Sequence, residues 1–227
     1  LLNTLMILHV HQPISGNKIA SLSCSGGEAS LIADLAEPLH FTFPKLSSKQ
    51  KRKLKSALGD LVHLSNPLDY QTYVWNDQAK LTVAFKSMMG ETYDFLFIIM
   101  DLPKQGRCSS DAWYPAIAAL KEAKKNAKCP VGLITSLEEN MPEKFAKDLI
   151  RHSIIPLTGL ENSLAALKAL QNVSIRWKVK STPSIIWERW PNEKSRVLDE
   201  YQSKKVLSRI GINVPKGFVI TDKNSLL

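Results

Sequence analysis

Four short segments hold most of the residue types that could do chemistry in this chain: Ser25-Gly26-Gly27, Ser65 to Tyr70 (SNPLDY), Asp101 to Cys108 (DLPKQGRC) and Ser136 to Asn140 (SLEEN). The two glycines of the first stand where a short apolar run gives way to a helical pattern. Backbone N–H groups there can approach an anion, and the positive end of the helix dipole faces it. The spacing is neither G-x-G-x-x-G nor a Walker A loop, so an ordinary tight strand-to-helix turn explains the same residues. Glu28 complicates the anion reading, because a carboxylate in the first turn already occupies the favourable dipole site. For the second segment the cheaper explanation is structural. Asn66-Pro67 sets a bend, and Asp69 accepts local backbone hydrogen bonds.

The five histidines, His9, His11, His40, His63 and His152, are too scattered to form a metal site. No Ser-His-Asp or Cys-His order stands out. The three cysteines, Cys24, Cys108 and Cys129, include no C-x-x-C pair. That excludes a disulfide scaffold or a cysteine-built zinc site and favours a reducing, cytoplasmic setting. Cys24 and Cys108 read as inert thiols. Lysine and arginine number 30 against 21 acids, a formal charge of +9. The excess gathers at Lys45, Lys49, Lys51, Arg52, Lys53 and Lys55, and more thinly at Lys121, Lys124, Lys125 and Lys128. A basic helix is the footprint of phosphate contacts, but aromatic interleaving and recognition motifs are missing. A solvated face, or one meeting an acidic partner domain, is the better reading, and nucleic acid is not an expected partner.

These segments need elements to position them. The 227 residues, 44% of them hydrophobic, suffice for one ordinary domain and a smaller remainder. No apolar run approaches the roughly 20 residues of a membrane span, and Leu1 to Pro13 lacks the basic start and cleavage site of a secretory signal. Short apolar runs alternate with amphipathic stretches from Lys18 to about Gln171, the pattern of a parallel α/β domain. Strands are expected at 19–24, 39–43, 61–64, 93–100, 130–135 and 154–155. Helices are expected at 28–37, 47–58, 77–89, 110–127, 142–152 and 160–170. Ser47, Asp77 and Ser110 are candidate N-caps, and Pro142 suits a first turn. Short connections point to a flavodoxin-like doubly wound sheet, with ligands at the carboxyl ends of its strands. Residues 173–190 read as a Trp-rich linker. A second unit follows, with a helix through Val197, Leu198, Tyr201, Val206, Leu207 and Ile210, a Gly211 cap and a strand at 217–220.

Taken in order, IASLSCSGGEASLIADLAE, SNPLDY, YDFLFIIMDLPKQGRC, CPVGLITSLEEN and HSIIPLTGLENSLAAL resemble the flavodoxin-like ligase domain of NDP-forming acyl-CoA synthetases. That group includes acetate–CoA ligase (ADP-forming) and succinyl-CoA synthetase. The runs SCSGGEASLIAD and NPLDYQTYVW look most like the multidomain acetate–CoA ligase and feruloyl-CoA synthetase-like branch. The resemblance implies residues 1–16 as a linker from an upstream CoA-binding region and 17–172 as the succinyl-CoA synthetase-like domain. It also implies 173–190 as a linker and 191–227 as the beginning of an ATP-grasp domain.

The resemblance further implies ligation through an acyl phosphate and a phosphohistidine, with ATP, magnesium and CoA serving the full-length enzyme and a small carboxylic acid as substrate. Ser25, Gly26, Gly27, Gln105, Gly106 and Arg107 are the positions that would contact the phosphohistidine loop. Asn66, Pro67, Asp69, Glu138 and Asn140 are edge motifs with a structural or domain-contact role. The family's serine-histidine-threonine-glycine loop is not in the chain, and neither are the ATP-grasp lysine and metal-binding carboxylates. The expectation is a fragment without a catalytic residue, bound cofactor or metal of its own, inactive alone and able to form homo-oligomers. A different class remains open: a ligand-sensing synthetase-like module of a fused lysine acetyltransferase. A free-standing flavodoxin-like electron carrier is disfavoured by the loop composition.

Overall fold

The computed structural model describes residues 1–104, 106–179, 197–220 and 222. The chain divides into two compact units, Leu1–Ser181 and Thr182–Leu227.

The first unit is built on five parallel strands: β1 (Ile19–Ser23), β2 (Leu68–Asp69), β3 (Phe95–Ile99), β4 (Val131–Thr135) and β5 (Ile155–Thr158), in the order β2-β1-β3-β4-β5. This is the flavodoxin-like doubly wound order. Every residue of β1, β3 and β4 is buried, which is why these strands read as mostly apolar runs with no charged residue. Successive side chains alternate between two cores. Ala20, Leu22, Leu96, Ile98, Val131 and Leu133 face α3 (Ser48–Leu58), α4 (Gln78–Met89), α5 (Tyr114–Lys124) and α6 (Glu143–Arg151). Ile19, Phe95, Phe97, Ile99, Ile134 and Leu157 face α1 (Leu2–Val10), α2 (Gly26–Ala36) and α7 (Leu160–Trp177). Gly132 belongs to the second face, where a Cβ would lie 2.8 Å from the Phe95 ring, so the close approach of that ring depends on the missing side chain.

Helix starts follow local chemistry. Ser47 and Gln50 form a reciprocal capping box at α3, and the Asp77 carboxylate accepts from Lys80 N–H at α4. Leu54, Ala57 and Leu58 turn inward as their spacing requires. Ser110 does not cap a long helix. A 3-10 turn at Asp111–Trp113 comes first and α5 starts at Tyr114, because Pro115, which has no N–H, fits only in the first turn.

The expected strand at 39–43 reduces to one bridge, Lys18 to Thr42. The expected strand at 61–64 is absent, and pairing on that side of β1 is displaced to Leu68–Asp69. The side-chain amide of Asn66 explains the shift. Its Oδ1 accepts Ser21 N–H at 3.2 Å and its Nδ2 donates to Ile19 C=O at 3.1 Å, positions a neighbouring strand would otherwise use. Residues 2–10, expected as linker, form α1, which Asn3 pins to Thr158 C=O at 2.8 Å. Helix α7 runs to Trp177, past the expected boundary at 172, since neither Gly nor Pro interrupts it.

The second unit contains α8 (Glu200–Arg209), capped by Asp199, whose carboxylate accepts from Gln202 N–H. Gly211 takes φ +83° at its end, as the sequence suggests. Residues 217–220 form no strand among the described residues, and Phe218 is exposed. Within that same limit no helix is long and apolar enough to cross a membrane.

Candidate functional site

In the order β2-β1-β3-β4-β5 the topological switch lies between β1 and β3, so the crevice at their carboxyl ends is where a ligand fits. Cys24 to Glu28 form one lip. Ser25 is the N-cap of α2, yet its hydroxyl makes no capping bond, and Gly26 and Gly27 are exposed as the first two helical residues. The opening amides of α2 therefore lack a side-chain acceptor. A Cβ on Gly26 would lie 3.3 Å from Asp69 Oδ2, which places the end of β2 beside this lip. Asp69 also accepts from Gln71 N–H at 2.9 Å and Gln71 Nε2 at 2.7 Å.

On the other side, Asp101 follows β3. Its carboxylate accepts Ser136 N–H at 2.7 Å and the Ser136 hydroxyl, and its carbonyl accepts Trp113 Nε1–H at 2.7 Å. Leu102 N–H donates to Asn140 C=O at 3.3 Å. The loops after β3 and β4 are thus tied together below the crevice mouth.

The electrostatics of this edge are acidic. Burial, then Asp101 and Asp69, raise the Glu28 carboxyl to about 7 despite its place at a helix N-terminus. Glu28 Oε2 is buried without a hydrogen-bond partner, as is the hydroxyl of the fully buried Tyr70. Burial first, and then Cys24, Glu28 and Asp69, push the Tyr70 hydroxyl well up. Burial and Glu28 push the Cys24 thiol to about 11, so it stays protonated at neutral pH and is no nucleophile. Among the described residues no group of three or more His, Cys, Asp and Glu is arranged to hold a metal ion.

The remaining sequence candidates separate. Asn66 and Pro67 sit below the edge, opposite the middle of β1, where Asn66 also donates to Pro44 C=O at 3.2 Å. Glu138 opens a 3-10 turn and lines a cavity of about 430 Å³ with Asn162 and residues 1–4, away from the switch point. Gly106, at φ +83°, and Arg107 are exposed at a turn closed by Arg107 N–H to Lys104 C=O at 3.0 Å. Gln105 lies outside the described residues. Glu28, Asp101 and Tyr70 join the site only in three dimensions.

The raised carboxyl gives a signed expectation. Glu28 binds its proton more tightly folded than unfolded, so its contribution to stability falls as pH rises from about 4.5 to about 7 and is level above that. Glu28→Gln keeps the shape without the charge. The stability of the variant relative to the parent should rise across that window and plateau above it, measured by urea unfolding at a series of pH values. A pH-independent difference would contradict the assignment.

No family model matches the chain, and no curated protein matches it. Solved structures do. PH0766 from Pyrococcus horikoshii OT3 shares 22% identity at a TM-score of 0.58, over 78% of this chain and 39% of that one. The dinucleotide forming acetyl-coenzyme A synthetase 1 of Ca. Korarchaeum cryptofilum, without ligand, shares 16% at 0.55 over 76% and 37%. The same protein with phosphate and ADP shares 15% at 0.54 over 76% and 36%. These matches show the fold, and the chain spans under two fifths of the length of each of these proteins.

Proposed function

We propose that this chain supplies the flavodoxin-like domain of an acid–CoA ligase of the ADP-forming, NDP-forming acyl-CoA synthetase type, and that residues 191–227 begin its ATP-grasp unit. The observation that carries the reading is the fold match to an acetyl-coenzyme A synthetase. The five ordered motifs of the sequence support it, because the first and third fall on the two lips of the switch-point crevice.

The chain's own part in this chemistry is to receive a phosphorylated histidine loop from a neighbouring unit. The uncapped opening amides at Gly26 and Gly27 would hold the phosphoryl oxygens, with the α2 dipole aligned to their charge. A phosphoryl group carries about two negative charges, and an ionised Glu28 would oppose it. With a carboxyl near 7, a proton on Glu28 relieves that conflict around neutrality. Gly106 and Arg107, on the exposed turn after β3, are proposed as the second set of contacts. ATP, magnesium, CoA and a small carboxylic acid belong to the complete enzyme, in a cytoplasmic setting.

Among the described residues no histidine lies in the crevice, and burial keeps the Cys24 thiol protonated at neutral pH, so the phosphohistidine of this reading comes from the neighbouring unit. Mixed with ATP, magnesium, CoA and acetate, the chain should form no acyl-CoA by thioester-specific chromatography. Turnover under those conditions would overturn the reading of the chain as one part of the enzyme.

A further inference from the structure

A second concavity, of about 580 Å³, opens between the loop after β3, the start of α5 and one side of α6. None of its lining residues comes from β1, from the Cys24 to Glu28 lip or from β2, so it shares only the loop after β3 with the switch-point crevice. Its floor is the outer skin of the core. Leu102 and Ile117 are buried there, Phe145 packs against the same cluster, and the Tyr114 ring stands exposed at the rim.

The wall from α6 is cationic. Lys144, Lys147 and Arg151 line the cleft at a spacing that puts them along one side of the helix. Lys147 pairs with Glu143, but among the described residues no ion pair engages Lys144 or Arg151. The one carboxylate in the lining, Asp148, is already taken. Lys121 bridges to it from α5, His152 lies 3.7 Å away, and the Lys121 contact first, with His152 and Arg151 as smaller contributors, holds its carboxyl below the ordinary range. The amino-terminal ends of α5 and α6 both border the opening, and their dipoles add positive potential.

We propose that this cleft binds a small organic anion with a flat apolar body, the ring against Ile117, Phe145 and Tyr114 and the anionic group between Lys144 and Arg151. The volume is that of an ordinary small-molecule site, and an apolar floor with a few convergent polar groups is its usual composition. The inference does not use the ligase reading.

Cys108 lines the same cleft and is exposed, whereas Cys129 is buried and Cys24 is half-buried, so its alkylation reports occupancy. The probes are naphthoate and its uncharged analogue naphthamide, and the readout is the rate of Cys108 modification by N-ethylmaleimide, followed by mass spectrometry. Saturating naphthoate should slow Cys108 by about fivefold or more and naphthamide by less, the difference expected when two solvated cations recognise one charge. Lys144→Gln with Arg151→Gln should abolish the protection, and Lys144→Arg with Arg151→Lys should retain it. Weaker slowing by naphthoate, or equal slowing by naphthamide, overturns the proposal on the parent chain alone, whether or not the variants fold.

Discussion

Asn66→Ala should lower the stability of the sheet unit by about 3 kcal/mol, because one side chain closes three backbone bonds and their net worth is roughly 0.5–1.5 kcal/mol each, more where a buried group is orphaned. The amide accepts Ser21 N–H and donates to Ile19 C=O and Pro44 C=O. Alanine leaves one donor and two acceptors without their partner. Asn66→Asp separates geometry from shape: a carboxylate still accepts from Ser21 but faces two carbonyls with no proton to give. It should be no more stable than the alanine variant. Urea unfolding measures both, and amide exchange at Ser21 should quicken most in Asn66→Ala, which alone removes its acceptor. Loss of less than about 1 kcal/mol in Asn66→Ala would show that the side chain does not organise this edge.

Phe97→Ala should cost more, about 3–5 kcal/mol, the range for emptying a large aromatic site in a core. Phe97 is fully buried at the middle of the central strand, its ring 6.2 Å from that of Phe95 and packed among residues facing α1, α2 and α7. The backbone there is held by β1 on one side and β4 on the other, so collapse into the cavity is restricted. A drop of roughly 10 °C in Tm is expected for a unit of this size. A fall of one or two degrees would mean that the second core is loosely packed.

Much of the fold is legible in the residues because the parallel sheet is buried on both faces. FLFII announces β3 as an unbroken apolar run, and IASLS and VGLIT announce β1 and β4 as mostly apolar, β-branched runs with only small polar residues. The edge on the β2 side is not legible that way. There LVHL has the composition of a strand, but the side chain of Asn66 occupies the β1 positions it would need, and pairing is left to two residues further on. Helix α7 outruns its expected end because tryptophans and β-branched residues weaken a helix without stopping one.

The site divides in the same manner. Ser25-Gly26-Gly27 is visible as a strand-to-helix junction in the string of letters. Glu28 appears there only as an awkward charge for an anion site. Its carboxyl is raised by burial first, and then by Asp101 and Asp69, some 70 and 40 residues away in sequence, brought beside it by the order of strands. The carboxylate environment of the edge is therefore a property of topology, which no local spacing encodes.

Acceptance of a phosphorylated histidine by the uncapped start of α2 can be followed by nuclear magnetic resonance titration of the chain with a short peptide bearing phosphohistidine, against the same peptide unphosphorylated. Saturable shifts are expected at the Gly26 and Gly27 amides and at Glu28 with the phosphorylated peptide alone, weakening as pH rises through about 7. Shifts elsewhere only, or equal binding of both peptides, would contradict that acceptance.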